Sequence, residues 1–307
     1  MSGLDSLFPY HNHSKGFTMT KDLFSQEKYI VAFIDVLGTQ EKIKKYPREA
    51  IQDMWIYCHH IVKELHLNGN ENLKFKIFSD NILICERIDE NNAKEAINDI
   101  LASLTIITTT MINSGIVAFV RGAVVIGDLH FEDNFVLGKA LVDAYDLESK
   151  HANFPRILFD DSFIEALAMV TPFKHKDKLY SNLYQLTKEL NAPFEIEKDD
   201  EFYRTICTVY PFVKQDSDGK IFFNFLETSG YITSSEMANY QQKRLNFKSF
   251  KQAILLNVEE NKTCQKIIQK MVWLAYYYND FCIEHDLDFG FSQQELQYIE
   301  NFLNEQK

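Results

Sequence analysis

The chain has 307 residues, of which 46% are hydrophobic and 14% aromatic, enough to bury one large core or two smaller ones. Its formal charge of −12 disfavours a surface that binds nucleic acid or an anionic membrane. The five cysteines show no CxxC spacing, which is typical of reduced thiols rather than of a disulfide framework or a zinc site. With no signal-peptide pattern and no apolar run long enough to cross a bilayer, we expect a soluble, cytoplasmic protein.

Strands and helices are predicted to alternate in the first half of the chain, after a polar arm over residues 1–27. In chain order they are a buried strand at 28–38, a helical region at 40–67 interrupted at Pro47, a hairpin at 73–88 that turns at 79–81, a helix at 91–115, a hairpin at 116–138 that turns at 132–134, a helix at 139–151, a strand at 155–160, and a helix at 161–170 capped by Asp161 or Ser162. The order of the first six elements, β-α-β-β-α-β, predicts an α+β fold with a ferredoxin-like core.

The rest of the chain, residues 171–307, is predicted to be a mostly helical C-terminal region. It begins with two short strands around the Asp-Ser-Asp-Gly turn at 216–219 and continues with helices, the last of them capped by Ser292. The helix at 264–286 carries Trp273 and a run of three tyrosines, so it must pack on the core or on a partner.

Two carboxylates, Asp35 and Asp80, stand in strongly apolar stretches of the sequence. Asp35 ends the first predicted strand, and the ferredoxin-like plan places Asp80 beside it. Two close, unpaired carboxylates repel each other and resist burial. A divalent cation removes this repulsion, and Mg²⁺ takes one or two carboxylates together with substrate phosphates. A lone aspartate in a turn is ordinarily turn chemistry, but the pair predicts a shared metal site.

Five motifs in the same order resemble those of the class III nucleotidyl cyclases. They are "FIDVLGT" at 33–39, "KIFSD" at 76–80, "RGAVVIGD" at 121–128, "LGKALVDAYDLES" at 137–149 and "PRILFDDSFIEAL" at 155–167. The resemblance implies that residues 28–170, about half of the chain, form a catalytic domain. Enzymes of this family join the 3′-oxygen of a nucleoside triphosphate to its α-phosphate and release pyrophosphate.

The resemblance also implies a set of site residues. Asp35, Asp80 and the carbonyl of Val36 would bind two Mn²⁺ or Mg²⁺ ions, one lowering the pKa of the 3′-hydroxyl and the other neutralising the triphosphate. Gly38 and Thr39 open a helix whose N-terminus could receive a phosphate. A homodimer with sites at its interface is implied as well, and the aromatic helix at 264–286 gives a physical reason for such a contact surface.

Four further residues are candidates for the site, and the first three have two readings each. Arg121, in an apolar strand with no evident partner, is a phosphate or transition-state contact or a structural salt bridge. Tyr145 stacks on a base or is a core tyrosine. Lys139 is a phosphate contact or a solvated lysine. Lys76 aligns with the lysine that reads a purine in the family.

The sequence departs from the family at three positions. Val142 and Asp146 occupy the places of an asparagine and of the transition-state arginine, and Phe135 replaces the acidic partner of the purine-reading lysine. The pattern as it stands most resembles the bacterial pyrimidine cyclases of the Pycsar anti-phage systems. It implies that UTP or CTP is converted to cyclic UMP or cyclic CMP, an alarm signal that activates a separate effector protein.

Two other classes of protein remain open. A purine or diguanylate cyclase would keep the aspartate pair and read another base, although a GGDEF-like signature is missing. A non-catalytic nucleotide-binding relative would explain the missing asparagine and arginine, but has no evident need for both Asp35 and Asp80. Incubation with each nucleoside triphosphate would discriminate the three classes.

Overall fold

A computed structural model describes a large part of the chain. The described residues are 17–18, 28–49, 51–53, 55–56, 72–113, 118–170, 173–175, 178–180, 195–196, 203, 206–208, 210–231 and 247–304. Most of the predicted N-terminal arm and the predicted helical region beyond residue 56 lie outside these ranges.

Strands and helices are numbered here in chain order. The strands are β1 (Phe17–Thr18), β2 (Lys28–Val36), β3 (Leu73–Phe78), β4 (Asn81–Arg87), β5 (Val120–Asp128), β6 (His130–Phe131), β7 (Val136–Leu137), β8 (Ile157–Phe159), β9 (Phe173–His175), β10 (Lys178–Tyr180), β11 (Glu195–Ile196), β12 (Val213–Gln215) and β13 (Ile221–Phe223). The helices are α1 (Thr39–Lys45), α2 (Ala93–Asn113), α3 (Lys139–His151), α4 (Asp161–Val170), α5 (Phe225–Tyr231), α6 (Phe247–Glu260), α7 (Gln265–Glu284) and α8 (Gln293–Asn304).

Seven strands form one mainly antiparallel sheet in the order β12-β13-β8-β5-β2-β4-β3. Its β5-β2-β4-β3 part has the strand order of a ferredoxin-like core, with β2 antiparallel to both of its neighbours. The α+β fold predicted from the sequence is therefore confirmed. Strand β8 pairs parallel with β5, and β13 pairs antiparallel with β8.

Strand β2 lies at the centre of the sheet and is covered on both faces. Its even-numbered side chains, such as Ile30 and Ile34, are buried in the core that contains α2. The odd-numbered Val31 and Phe33 face a second cluster that includes Ala144 of α3. An unbroken apolar strand is what burial on both faces requires, and the same alternation places Asp35 on the α3 face.

The C-terminal region continues the sheet and the core. Strands β12 and β13 extend the sheet at the β8 edge, so this region contributes strands as well as helices. Helix α7 packs against its own chain, with Tyr277 and Tyr278 buried in the main core. The first alternative, packing on the core, therefore accounts for Tyr277 and Tyr278, whereas Tyr276 is 42% exposed. An aromatic contact surface on α7 stays a prediction.

Two helix starts can be compared with their predicted caps. Asp160, rather than Asp161 or Ser162, caps α4, since its Oδ2 accepts a hydrogen bond of 3.0 Å from the Ser162 N–H. At α8, Ser292 and Glu295 exchange hydrogen bonds as a capping box, as predicted. Among the described helices, none combines the length and the hydrophobicity that crossing a bilayer demands.

Candidate metal and nucleotide site

Asp35 is held by the register of the central strands. It pairs with Arg121 of β5 on one side and with Asn81 of β4 on the other. Paired residues of a ladder project to the same face of the sheet, so all three side chains project to the α3 face. The sequence distances of 86 and 46 residues are bridged only because β2 lies between β4 and β5.

Arg121 joins two carboxylates at the end of β2. Its Nε–H donates a hydrogen bond of 3.0 Å to Oδ2 of Asp35. The same nitrogen lies 2.7 Å from Oε1 of Glu148 on α3, as an ion-pair contact. Since Nε carries a single hydrogen, Oε1 of Glu148 is left without a hydrogen bond among the described residues. Arg121 thus has the salt-bridge partners that the sequence did not reveal.

Glu148 lies on the buried face of α3, and only 3% of the residue's surface is exposed. Burial raises the pKa of its carboxyl, Arg121 lowers it, and the negative charge of Asp35 raises it again. The cluster of Asp35, Glu148 and Arg121 carries two negative charges and one positive charge when ionised. A further cation near Asp35 would therefore be attracted to it.

Asp80 lies in the β3–β4 turn. It directly precedes Asn81, the β4 residue that pairs with Asp35. The turn is tight, since Ser79 has a φ of 57°, and its backbone is fixed to β2 by a 2.9 Å hydrogen bond from the Val36 N–H to the Asp80 carbonyl. The Asn81 amide lies 3.3 Å from Oδ1 of Asp80. The structure thus brings the backbones of the two aspartate segments into contact, and metal sharing by their carboxylates stays a prediction.

The donor set at this end of the sheet fits a hard divalent cation. Asp35, Asp80 and the carbonyl of Val36 offer oxygen atoms alone, which suit Mg²⁺ or Mn²⁺. The Val36 carbonyl accepts a 2.8 Å hydrogen bond from the buried Thr39 hydroxyl and keeps a second lone pair. The described residues contain no group of three His, Cys, Asp or Glu that could hold a metal, so substrate phosphates would have to complete the coordination.

Gly38 and Thr39 form the junction between β2 and α1. Gly38 has a φ of 74°, a left-handed conformation that glycine adopts without strain. Thr39 turns its hydroxyl to Val36 rather than outward. Helix α1 has only 7 residues, and phosphate binding by this junction stays a prediction.

The three other predicted substrate residues lie on the α3 face or its edge. Nζ of Lys76 donates a 2.6 Å hydrogen bond to the Glu132 carbonyl and lies over the Phe131 ring. The Tyr145 residue is 53% exposed and contacts Phe33 edge to face, so it is not a core tyrosine. Lys139 is exposed and forms an ion pair with Asp143 on its own helix.

The three positions that depart from the family pattern are Val142, Asp146 and Phe135, and each has a defined environment. Val142 is 58% exposed on α3. Asp146 forms an ion pair of 2.7 Å with Lys150 one turn later. Phe135 stacks on the His130 ring in the β6–β7 hairpin. No carboxylate therefore stands at position 135 to pair with Lys76.

Sequence reasoning missed two residues of this site. Glu148 continues the buried stripe of Ala140 and Ala144 at a spacing of four residues, and a carboxylate on an apolar stripe is a signal for a buried cation. Lys270 of α7 interacts electrostatically with Asp35, Arg121 and Glu148. Nothing in the sequence signals Lys270, because it lies 235 positions after Asp35.

No protein-family model and no curated protein matches the sequence. Similar solved structures include the catalytic core of a rhodopsin-guanylyl cyclase with converted specificity, in complex with ATPαS, at 17% identity and a TM-score of 0.38, covering 48% of this chain and 84% of that chain. The adenylyl cyclase CyaB from P. aeruginosa has 16% identity and a TM-score of 0.35, covering 46% and 80%.

A third similar structure is the guanylate cyclase domain of RhGC from Catenaria anguillulae in complex with GTP, at 16% identity and a TM-score of 0.36, covering 48% of this chain and 88% of that chain. All three TM-scores lie below 0.5, so this likeness carries no argument about the activity of the chain. Function has to be argued from the motifs and from the geometry of the site.

Proposed function

We propose that the protein is a nucleotidyl cyclase that converts UTP or CTP to the 3′,5′-cyclic monophosphate and pyrophosphate. The observation that carries the proposal is the position of Asp35 at the end of the central strand, with the Asp80 turn hydrogen-bonded to the next residue of β2. Carboxylate oxygens are ligands that Mg²⁺ takes together with substrate phosphates, and the first two of the five cyclase-like motifs contain these aspartates.

Asp35, Asp80 and the Val36 carbonyl would hold two Mn²⁺ or Mg²⁺ ions. Bound there, the ions supply a lowered pKa for the 3′-hydroxyl and neutralise charge on the triphosphate. In the reaction the 3′-oxygen forms a bond to the α-phosphorus, the bond to the pyrophosphate oxygen breaks, and the hydroxyl proton is released. The substrate is thereby divided into one cyclic nucleotide and one pyrophosphate.

Arg121 is proposed as a positioning residue for Asp35. Its guanidinium is held by Asp35 and Glu148 and reaches the Ala152 carbonyl at 3.5 Å. These contacts favour the salt-bridge reading over a free phosphate contact. By fixing Oδ2 of Asp35, Arg121 would leave Oδ1 free to bind a cation. The buried Glu148 carboxylate attracts the guanidinium and so holds it in this position.

A pyrimidine substrate is supported by the sub-pattern of motifs and by the side chains around Lys76. The Lys76 ammonium donates one hydrogen bond to the Glu132 carbonyl, and position 135 offers an aromatic ring in place of a carboxylate. The purine-reading pair of the family is thus incomplete, because its acidic member is missing. The exposed Tyr145 remains available to stack on a base.

The proposal includes a homodimer with the site at its interface. Large apolar side chains are exposed on α3, the β6–β7 hairpin and the end of β3, around the candidate site; they are Phe78, Phe135, Leu137, Val142 and Tyr145. An apolar patch of this kind is typical of a contact surface. A second copy of the chain is the partner that the cyclase resemblance implies, and its α3 would approach the first copy's nucleotide.

We also propose that residues 28–170 form the catalytic domain, that 1–27 form an arm, and that 171–307 support the catalytic domain through β13 and α7. The product would act as an alarm signal on a separate effector in anti-phage defence. A cytoplasmic place of action agrees with the free thiols at Cys85, Cys207, Cys264 and Cys282. Cyclic UMP or cyclic CMP should rise in expressing bacteria after phage infection, and an unchanged level would contradict the defence role.

The decisive experiment incubates the purified protein with each of the four ribonucleoside triphosphates and Mn²⁺ or Mg²⁺. Mass spectrometry of the products should show cyclic UMP or cyclic CMP together with pyrophosphate, and none in the presence of EDTA. A cyclic purine nucleotide as the main product would establish the purine alternative. Nucleotide binding without any cyclic product would establish the non-catalytic alternative.

A further inference from the structure

A cavity of about 730 Å³ lies between the β2–α1 junction and the C-terminal helices α6 and α7. Leu37 and Gly38 form one wall, so the cavity begins two residues after Asp35. Its volume is within the range of small-molecule sites. The wall contributed by α7 belongs to the part of the chain that the cyclase resemblance does not reach.

Four lysines line this cavity in a chain of net charge −12, namely Lys42, Lys44, Lys45 and Lys270. Among its described lining residues, Glu260 is the one carboxylate, and it forms an ion pair with Lys45. The described part of the lining therefore contains more lysines than carboxylates, against the sign of the whole protein. An anion is the ligand that such a lining selects.

Two of these lysines are partly buried without a close counter-ion. Burial lowers the pKa of Lys42, with Glu260 acting in the opposite direction from a distance. Burial also lowers the pKa of Lys270, and the positive charge of Arg121 lowers it further. Within the described residues, neither ammonium group makes a hydrogen bond or an ion pair. Partial burial of two ammonium groups costs free energy of folding, and a ligand that accepts their hydrogen bonds reduces this cost.

Lys270 also connects the cavity to the candidate metal site. Asp35 and Glu148 both raise its pKa through their charge, so its ammonium lies within electrostatic reach of both carboxylates. A phosphate chain that starts at a cation on Asp35 can continue past Gly38 into the cavity. There it would meet Lys270 and Lys42, which can donate charge-assisted hydrogen bonds to phosphate oxygens.

We propose that Lys270, a residue of the C-terminal region, binds the polyphosphate of the substrate together with Lys42. The inference rests on the proposed function, because a nucleoside triphosphate is the polyphosphate that the aspartate site would take. It gives the C-terminal helices a direct part in the site. Lys270 would then contact the phosphate chain, while Tyr145 of α3 faces the nucleoside.

The first test measures binding of inorganic tripolyphosphate by calorimetry, in the presence of Mg²⁺. K270M and K42M should each weaken binding about tenfold or more, the loss expected for one charge-assisted hydrogen bond. K270R should restore most of the affinity. K266M is the matched control, because Lys266 is exposed on the same helix and its loss changes the net charge equally. Unchanged tripolyphosphate binding by K270M would overturn the proposal.

Folding is controlled by the melting temperature without ligand. K270M should melt at the parental temperature or above it, because methionine fills the same space without burying a charge, and burial is the main reason that the pKa of Lys270 is lowered. Tripolyphosphate should raise the melting temperature of the parental protein and of K266M, and much less that of K270M. Equal protection of all three proteins would contradict the assignment.

Kinetics separate a substrate site from an unrelated anion site. Tripolyphosphate should inhibit cyclisation in competition with the nucleotide, and K270M should raise KM more than it lowers kcat. Non-competitive inhibition would overturn the placing of the substrate in this cavity. If no nucleotide is cyclised but tripolyphosphate binding still depends on Lys270, the proposed function fails and the polyphosphate site stands.

Discussion

At the scale of single residues, Asp35 and Asp80 differ in what surrounds them. Asp35 accepts a hydrogen bond from Arg121 and so contributes to the fold without any metal. Asp80 is in a turn, next to the Asn81 amide. The proposed metal role of Asp35 and its salt bridge with Arg121 are separable, and substitutions can tell them apart.

Replacing either aspartate by alanine should reduce cyclisation at least about 100-fold, because bound metal supplies several kcal/mol of transition-state stabilisation. Asp35→Ala should also lower the free energy of unfolding by about 1–2 kcal/mol, since Arg121 loses a charged hydrogen-bond acceptor. Asp80→Ala should change it by no more than about 0.5 kcal/mol.

Denaturant unfolding and turnover on the same preparations, with and without Mn²⁺, measure both effects. The asparagine variants are the matched controls for shape, and they should be nearly as inactive because they lack the charge that holds the cation. An Asp80→Ala protein that forms cyclic product at the parental rate would contradict the metal assignment.

At the scale of elements, a buried arginine beside β8 holds the turn of the β12–β13 hairpin. The side chain of Arg156, just before β8, is fully buried and forms ion pairs with Asp216 and Asp218 of the hairpin turn. The Trp273 Nε1–H donates a 2.8 Å hydrogen bond to Asp216 and so ties α7 to the same turn. The predicted turn residues therefore also serve as counter-ions.

Asp216→Asn should destabilise the protein by about 3 kcal/mol, because it leaves a buried guanidinium with one carboxylate fewer. Asp218→Asn should cost about 1 kcal/mol or less, since the Asp218 side chain is 42% exposed and water compensates its loss. Denaturant unfolding at pH 7 measures the two costs. Equal costs for the two variants would contradict the buried role of Asp216.

The pH dependence of Asp218 has a defined sign. Burial raises its pKa, but the hydrogen bonds from Arg156 and from the Lys220 N–H outweigh burial and leave the pKa below 3.8. Because the pKa of Asp218 is depressed in the folded state, its ionised carboxylate stabilises the fold above pH 3.8. This stabilisation is lost as the pH falls through the folded-state pKa of Asp218. The stability difference between the parental protein and Asp218→Asn should therefore shrink below pH 4. A difference that grows on acidification would contradict this sign.

At the scale of the whole molecule, two surfaces offer apolar side chains to a second copy. One is the patch around Val142 and Tyr145, beside the candidate site. The other is the outer face of α7, where Ile283 is 71% exposed and Tyr276 is 42% exposed. Only the first surface would place a partner's residues next to the nucleotide.

If the proposed homodimer forms through this first surface, Val142→Glu should convert it to a monomer and reduce cyclisation at least about tenfold, because it places a charge in an apolar contact. Ile283→Glu adds the same charge on the other surface and should leave both properties unchanged. Light scattering at micromolar concentration reports assembly, and the melting temperatures of both variants should stay near the parental value. An active parental monomer, or a dimer that only Ile283→Glu disrupts, would contradict the assignment of the interface.

The sequence by itself determined the local elements and their order. The apolar run around Asp35, the turn residues at 79–81 and the helix at 139–151 follow from periodicity and turn chemistry, which depend on neighbours in the chain. The order of these elements was enough for the ferredoxin-like core. Tertiary structure alone decided which distant side chains meet. The pairing of Arg121 with Asp35 and Glu148 depends on strand register. The burial of Tyr277 and Tyr278 in α7 and the electrostatic interaction of Lys270 with Asp35 depend on how the C-terminal helices cover the sheet. These contacts join residues far apart in sequence, and no local pattern encodes them.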